Sequence, residues 1–134
     1  THTFMMTMPG VPFVYYGDEI GMRYQTDLVS KEGGFSRTGS RTPMQWDSSK
    51  NLGFSTADES KLYLPVDKSE DAPTVENNKG VEGSIYENLK TLIALRHEYD
   101  EFRNGSEFEL VSAQKGTNLF VYKRGSFTVC FNVL

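Results

Sequence analysis

Cysteine is nearly absent from this chain. Its 134 residues hold one, Cys130, which excludes an internal disulfide and any multi-cysteine metal site. Cys130 falls in an apolar alternating run, so a buried, inert thiol is expected. Histidine is almost as scarce. His2 and His97 are too far apart for a recognisable zinc pattern, so neither metal nor cofactor is expected. No apolar run approaches the roughly 18 residues of a membrane-spanning helix. The opening Thr1-His2-Thr3 has no initiator methionine, no basic start and no cleavage site. A cytoplasmic location is expected, as is a chain cut from something larger. Positive charge is also in short supply. Eighteen acidic side chains against fourteen Lys and Arg give a net charge of −4, which offers nothing to nucleic acid or an anionic membrane. What is left, 37% hydrophobic and 24% charged, is soluble globular material of one domain's length.

The first segment, Thr3 to Met8, is apolar and stops at Pro9-Gly10, so it reads as the tail of a helix. Val11-Pro12-Phe13-Val14-Tyr15-Tyr16 is continuously apolar. Continuous hydrophobicity indicates a strand covered on both faces, as in a parallel sheet. Such a strand needs parallel neighbours, and the chain offers no others. Asp18 and Glu19 follow at its C-terminal end, where parallel α/β architectures bind ligands. From Arg23 to about Asn78 the sequence is irregular and polar, longer than a structureless connector should be. Its embedded Met44, Trp46, Leu52, Phe54, Leu62, Tyr63 and Leu64 predict an ordered loop wrapped against a larger body.

The best helix is predicted from Ser84 to about Phe102. Ser84 and Glu87 have capping-box spacing, and Ile85, Leu89, Leu92, Ile93, Arg96 and Tyr99 share one stripe. Arg96 interrupts it, either pairing at the stripe's edge or snorkelling to water. Asn104-Gly105 ends the helix. The period then changes to two. Residues 107–111, 118–122 and 127–133 read as three strands of an antiparallel meander, with turns at Gln114-Lys115-Gly116 and Arg124-Gly125. The outer strand is apolar and leaves an unprotected edge. That edge and the helix stripe call for cover, by self-association or by the rest of a larger body.

The richest stretch is Arg37-Thr38-Gly39-Ser40-Arg41-Thr42-Pro43-Met44-Gln45-Trp46-Asp47. Two guanidinium forks in a Gly/Ser-rich loop can hold a carboxylate or the hydroxyls of a polar ligand. A tryptophan beside them adds a flat apolar face with one donor. Donor forks next to an aromatic plane suit sugars, which carry hydroxyls on the rim and C–H groups on the faces. A plain surface loop with a solvated ion pair and a tucked-in Trp has the same composition.

These residues together resemble a known family. Pro9 to Met22, with its Val14-Tyr15-Tyr16-Gly17-Asp18-Glu19 core, is similar to the eighth barrel strand of the α-amylase family of glycoside hydrolases. Arg41-Thr42-Pro43-Met44-Gln45-Trp46-Asp47, followed by Gly53-Phe54, resembles the signature loop of its α-glucosidase branch, which includes oligo-1,6-glucosidases and trehalose synthases. Leu62-Tyr63-Leu64-Pro65-Val66, Ser84-Ile85-Tyr86 and Leu92-Ile93-Ala94-Leu95-Arg96 are similar to the segment leading into the last barrel helix. The three strands match the start of the family's C-terminal β-domain.

The resemblance implies an α/β fold: the last strand and last helix of a (β/α)8 TIM barrel over residues 1–103, then the first strands of an antiparallel β-sandwich domain over 104–134. It implies retaining chemistry on an α-linked glucosyl oligosaccharide, by one nucleophilic and one acid/base carboxylate with a third stabilising the transition state. In the family these follow strands four, five and seven, so no catalytic residue is expected in this chain. Asp18 and Glu19 are rejected as a catalytic pair, because neighbours on a strand point to opposite faces. The resemblance makes Arg37 and Arg41 substrate-binding, the first at the non-reducing-end glucose and the second by the leaving-group sugar. It makes Glu19, Trp46 and Asp47 loop supports. Thr38 departs from the family's usual aspartate, and the Met22–Arg37 loop is short, which puts linkage specificity in doubt. The rival readings are a non-catalytic barrel relative, such as the heavy subunit of an amino-acid transporter, and a free-standing carbohydrate-binding module. The continuous apolar run at 11–16 argues against the module.

Overall fold

A computed structural model describes residues 1–31, 33 and 36–132. They fall into two compact units, Thr1–Phe13 with Leu89–Leu134 and Val14–Asn88.

The first unit is built on a helix, a sheet and two arginines. α1 spans His2–Thr7 and stops before Pro9-Gly10, with Gly10 at φ 112°. Helix ends leave backbone carbonyls without intrahelical partners. Those of α1 and its exit are met by guanidinium groups. Arg96 donates to the carbonyls of Met6 at 2.7 Å, Met8 at 3.3 Å and Gly10 at 2.5 Å. This resolves the open reading of Arg96 in favour of pairing, with main-chain oxygens as the partners. Arg124, fully buried, donates to the carbonyls of Thr7 at 2.5 Å, Arg103 at 2.8 Å and Glu107 at 3.2 Å. Both cations sit where the negative end of the α1 dipole favours them. Burial, and then the nearby charge of Arg96, pull the pKa of Arg124 below its ordinary value.

α2 runs Ile85–Glu98, shorter than predicted, and a separate 3-10 turn covers Asp100–Phe102. Half of the capping box forms: the Glu87 amide donates to Ser84 Oγ at 3.2 Å. The Glu87 carboxylate turns instead to the Gly80 amide at 2.8 Å. Along the stripe Leu89 is buried, while Ile85 and Ile93 are exposed.

The sheet is the expected meander, ordered β1 (Glu109–Ser112), β2 (Leu119–Arg124), β3 (Phe127–Asn132). β2 and β3 pair without a break from Leu119–Asn132 to Arg124–Phe127. Between β1 and β2 the register shifts at Val111, a bulge. The predicted end of the third strand at Val133 lies outside the described residues. Phe4 of α1 packs at 5.9–6.5 Å from the rings of Phe120, Tyr122 and Phe131. Phe127 packs at 4.8 Å from both Tyr99 and Phe102. Cys130 is free and exposed, not buried as expected. Exposure alternates along β3, and Cys130 shares the open face with Thr128 and Asn132. Period-two hydrophobicity marks a strand but does not say which face is covered.

In the second unit, Val14–Asn88, no described residue lies in an α-helix before Ile85 or in a strand. The doubly covered strand expected at 11–16 is not formed: residues 11–15 carry no regular structure, Tyr16 enters a turn, and Val11 and Phe13 are 72% and 82% exposed. A parallel strand needs amides and carbonyls from neighbours, and the chain supplies none. The described residues of the long 23–78 segment include short 3-10 turns at Ser36–Ser40, Lys50–Gly53 and Glu59–Lys61; residues 32, 34 and 35 lie outside them. Its core holds Ile20, Met44, Leu64 and Ala72 beside buried Thr42, Gln45, Asp67 and Thr74.

Replacing Arg124 by Met removes the donor to three carbonyls at once, that of buried Thr7 among them. Arg124→Met should therefore lower stability by about 2–4 kcal/mol, read from the urea midpoint. A loss below about 0.5 kcal/mol would show that these oxygens find other donors.

Candidate functional site

The signature loop is inverted at its centre: the middle is inside and the ends face out. Thr42, Pro43, Met44 and Gln45 are buried, while Arg41 and Trp46 are exposed. Gln45, 1% exposed, donates its side-chain amide to the Pro73 carbonyl, and its own carbonyl accepts from the Val75 amide at 3.0 Å. Trp46 continues the pattern: its carbonyl accepts from Glu76 at 2.9 Å and its amide donates to Leu52 at 2.8 Å. Two backbone stretches about thirty residues apart are thus joined without a sheet.

Trp46 is bonded through its main chain, and its side chain is 49% exposed. The Asp47 carboxylate accepts from the Ser49 hydroxyl and, at 2.8 Å, from the Ser49 amide. These two bonds, the hydroxyl first, hold the Asp47 pKa below the ordinary carboxylate range. Gly53 closes the same turn at φ 72°, where an added Cβ would stand 2.7 Å from the Asp47 carboxylate. Asn51 and Leu52 both adopt positive φ, which is costly for a leucine. The Asn51 side chain offsets this by donating to the carbonyls of Ser55 at 2.7 Å and Ala57 at 2.9 Å.

Asp18 and Glu19 lie on a 3-10 turn, Asp18–Ile20, and not at a strand end as the sequence suggested. Both carboxylates bind local backbone. Asp18 accepts from the Tyr15 amide at 2.9 Å and Glu19 from the Gly17 amide at 2.7 Å. Each tightens the turn that Gly17 opens at φ 91°.

Arg37 and Arg41 are exposed and line one cavity of about 220 Å3 together with Lys31, Thr38 and Tyr63. The 3-10 turn Ser36–Ser40 sets their spacing, with the Arg41 amide donating to Thr38 at 3.0 Å and Ser40 Oγ to Arg37 at 2.9 Å. Gly39 seats that turn against residues 24–25. Its carbonyl accepts from the Gln25 amide at 3.0 Å, and a Cβ there would meet the Gln25 carbonyl at 2.1 Å. A second cavity of about 350 Å3 shares Arg41, Tyr63 and Leu64 with the first and adds Tyr16 and Phe54. The Tyr16 hydroxyl donates to the Thr42 carbonyl at 3.0 Å. Burial and then Tyr15 hold its pKa above the ordinary phenol value, while Arg41 pulls the other way.

Sequence reasoning therefore found two of the cations and missed Lys31, whose ammonium stands 4.9 Å from the Tyr63 ring centre. No spacing rule points to Lys31. Tyr63 is part of a string quoted for the resemblance, yet nothing in that string marks it as a cavity wall. Trp46, Asp47 and Glu19 lie outside both cavities. Among the described residues no group of three His, Cys, Asp or Glu is placed to hold a metal ion.

This loop, with the helix and meander that follow it, belongs to a known class. The family model "Alpha amylase, catalytic domain" matches residues 1–105. The trehalose synthase/amylase TreS of Mycobacterium tuberculosis is 33% identical over 97% of this chain and 22% of its own length. The probable oligo-1,6-glucosidase 3 of Bacillus subtilis is 31% identical over 87% of this chain and 25% of its own length. The chain is a member of the alpha-amylase family and spans about a quarter or less of these relatives. Its fold is also that of part of the trehalulose synthase MutB of Pseudomonas mesoacidophila. The two superpose with a TM-score of 0.77 at 23% identity, over 92% of this chain and 26% of the other. An isomaltulose synthase mutant of Erwinia rhapontici crystallised with D-glucose gives a TM-score of 0.77 at 20% identity, over 92% and 26%.

Gly39→Ala should force the arginine turn away from residues 24–25 and lower stability by about 1–3 kcal/mol. Hydrogen exchange reads it directly: the Gln25 amide loses protection. Unaltered protection at Gln25 would show that the contact yields without strain.

Proposed function

We propose that this chain is part of a retaining α-glucosidase-type glycoside hydrolase acting on α-linked gluco-oligosaccharides, and that it supplies the substrate-facing loop. In the whole protein, residues 1–103 form the end of the (β/α)8 barrel and residues 104–134 open the C-terminal β-domain. The family match over residues 1–105 supports that division. Trehalose synthase and oligo-1,6-glucosidase relatives along most of the chain support the activity.

The observation that carries the loop's role is the shared cavity. Arg37 and Arg41 face one concave space with an aromatic wall at Tyr63, which suits a ring with hydroxyls on its rim. Glu19, Trp46 and Asp47 hold the surrounding backbone rather than the sugar. Asp18 and Glu19 are no acid/base pair, since each carboxylate is bound to a backbone amide beside it. Retaining chemistry requires two carboxyl groups about 5 Å apart across the scissile bond, and in this reading they come from the rest of the barrel.

Losing one charged donor from a bound sugar costs about 1.5–3 kcal/mol. Arg37→Ala in the complete enzyme should lower kcat/KM by a factor of about 10–100, and unchanged kinetics would remove the role given to Arg37. The purified 134-residue chain should not hydrolyse 4-nitrophenyl α-glucoside; appreciable turnover would place the catalytic carboxylates within it.

A further inference from the structure

The turn that carries Arg37 and Arg41 has bonds of its own, but they do not fix where it sits. Ser40 Oγ donates to the Arg37 carbonyl at 2.9 Å and the Arg41 amide to the Thr38 carbonyl at 3.0 Å. Both bonds begin and end within residues 37–41. The segment that follows Met22 supplies contacts from outside. Gln25 donates its amide to the Gly39 carbonyl at 3.0 Å, and Tyr24 donates its hydroxyl to the Ser36 carbonyl. The Tyr24 ring also lies against Gly39, where an added Cβ would stand 2.8 Å from ring Cζ and 2.9 Å from Cε1. Arg23 ties this segment down in turn, reaching the Asp71 carboxylate at 2.8 Å and the Asp71 carbonyl at 2.6 Å.

Tyr24 is neither a core residue nor a cavity wall. It is 54% exposed in this chain, and it borders neither of the two cavities that Arg41 lines. Its hydroxyl ends on the oxygen of the peptide unit that joins Ser36 to Arg37. That unit is planar and stiff, so holding its oxygen sets the direction in which the backbone enters Arg37.

We propose that Tyr24 is a positioning residue for substrate recognition, acting through Arg37. Its hydroxyl holds the Ser36–Arg37 peptide, its ring seats Gly39, and together they keep the Arg37 guanidinium on the wall of the cavity it lines. The contribution to binding is one of preorganisation: a donor already in place loses less freedom when the ligand arrives. The inference rests on the reading of this loop as substrate-facing and adds how the loop is held.

The test is steady-state hydrolysis of 4-nitrophenyl α-glucoside by the complete enzyme and its Tyr24→Phe, Arg37→Ala and doubly substituted variants. Phenylalanine keeps the ring against Gly39 and gives up only the hydroxyl. Tyr24→Phe should lower kcat/KM about 3–10-fold, the range for one neutral hydrogen bond. The loss should fall in KM, as it does when binding is removed from ground and transition states alike. In the Arg37→Ala background the same substitution should change kcat/KM by less than about 1.5-fold, because two residues acting through one contact do not add. Three results would overturn the inference: unchanged kinetics in Tyr24→Phe, a loss confined to kcat at unchanged KM, or an equal loss with and without the Arg37 guanidinium. A loss in Arg37→Ala but not in Tyr24→Phe removes the inference alone. No effect of Arg37→Ala, or no turnover by the complete enzyme, removes the reading of the loop and the inference with it.

Discussion

The bond from a side-chain donor to a backbone carbonyl is the interaction on which this structure depends most. In the unit formed by Thr1–Phe13 and Leu89–Leu134, the buried guanidinium of Arg124 reaches the main chain at Thr7, Arg103 and Glu107. Arg96 reaches it at Met6, Met8 and Gly10. Each bond to a charged donor is worth more than a neutral one. More important, the bond to buried Thr7 pairs an oxygen that burial would otherwise leave unpaired. Because a guanidinium has five donors in fixed directions, one residue can join elements far apart in sequence, and the aromatic packing of Phe4 on Phe120, Tyr122 and Phe131 follows from that anchoring.

The unit Val14–Asn88 meets the same requirement by other means. With no strand among its described residues, it bonds much of its backbone through Gln45, Asn51, Asp47, Asp18 and Glu19. Amide and carboxylate side chains there do what a ladder does elsewhere. That explains why polar residues are buried in the middle of the signature loop, and why its two ends are free to present Arg41 and Trp46 outward. The loop is buried and hydrogen-bonded at its centre and exposed at Arg41 and Trp46.

Much of this was legible in the residues. The meander could be read from period-two runs separated by Gly-containing turns, and the start of α2 from Ser84 and Glu87. The arginine loop could be read from a peptide string specific enough to indicate the family. Other features resisted. Cys130 sits on the open face of β3, because alternation says that two faces differ but not which is covered. The run at 11–16 has the composition of a doubly buried strand, yet strand formation depends on partners that composition cannot supply. Lys31 gives no signal at all, since its place over Tyr63 joins residues thirty-two positions apart.

What the sequence determined by itself, then, is local: turns, caps, periodicity and the family signature, all set by neighbours within a few positions. Tertiary structure alone decided which cations share a cavity, which carbonyls Arg96 and Arg124 hold, and which backbone amides Asp18 and Glu19 bind. The physical reason is range. Propensity and capping act along the chain over about four residues, whereas a cavity wall or a buried donor is defined by whatever folding brings within hydrogen-bond distance.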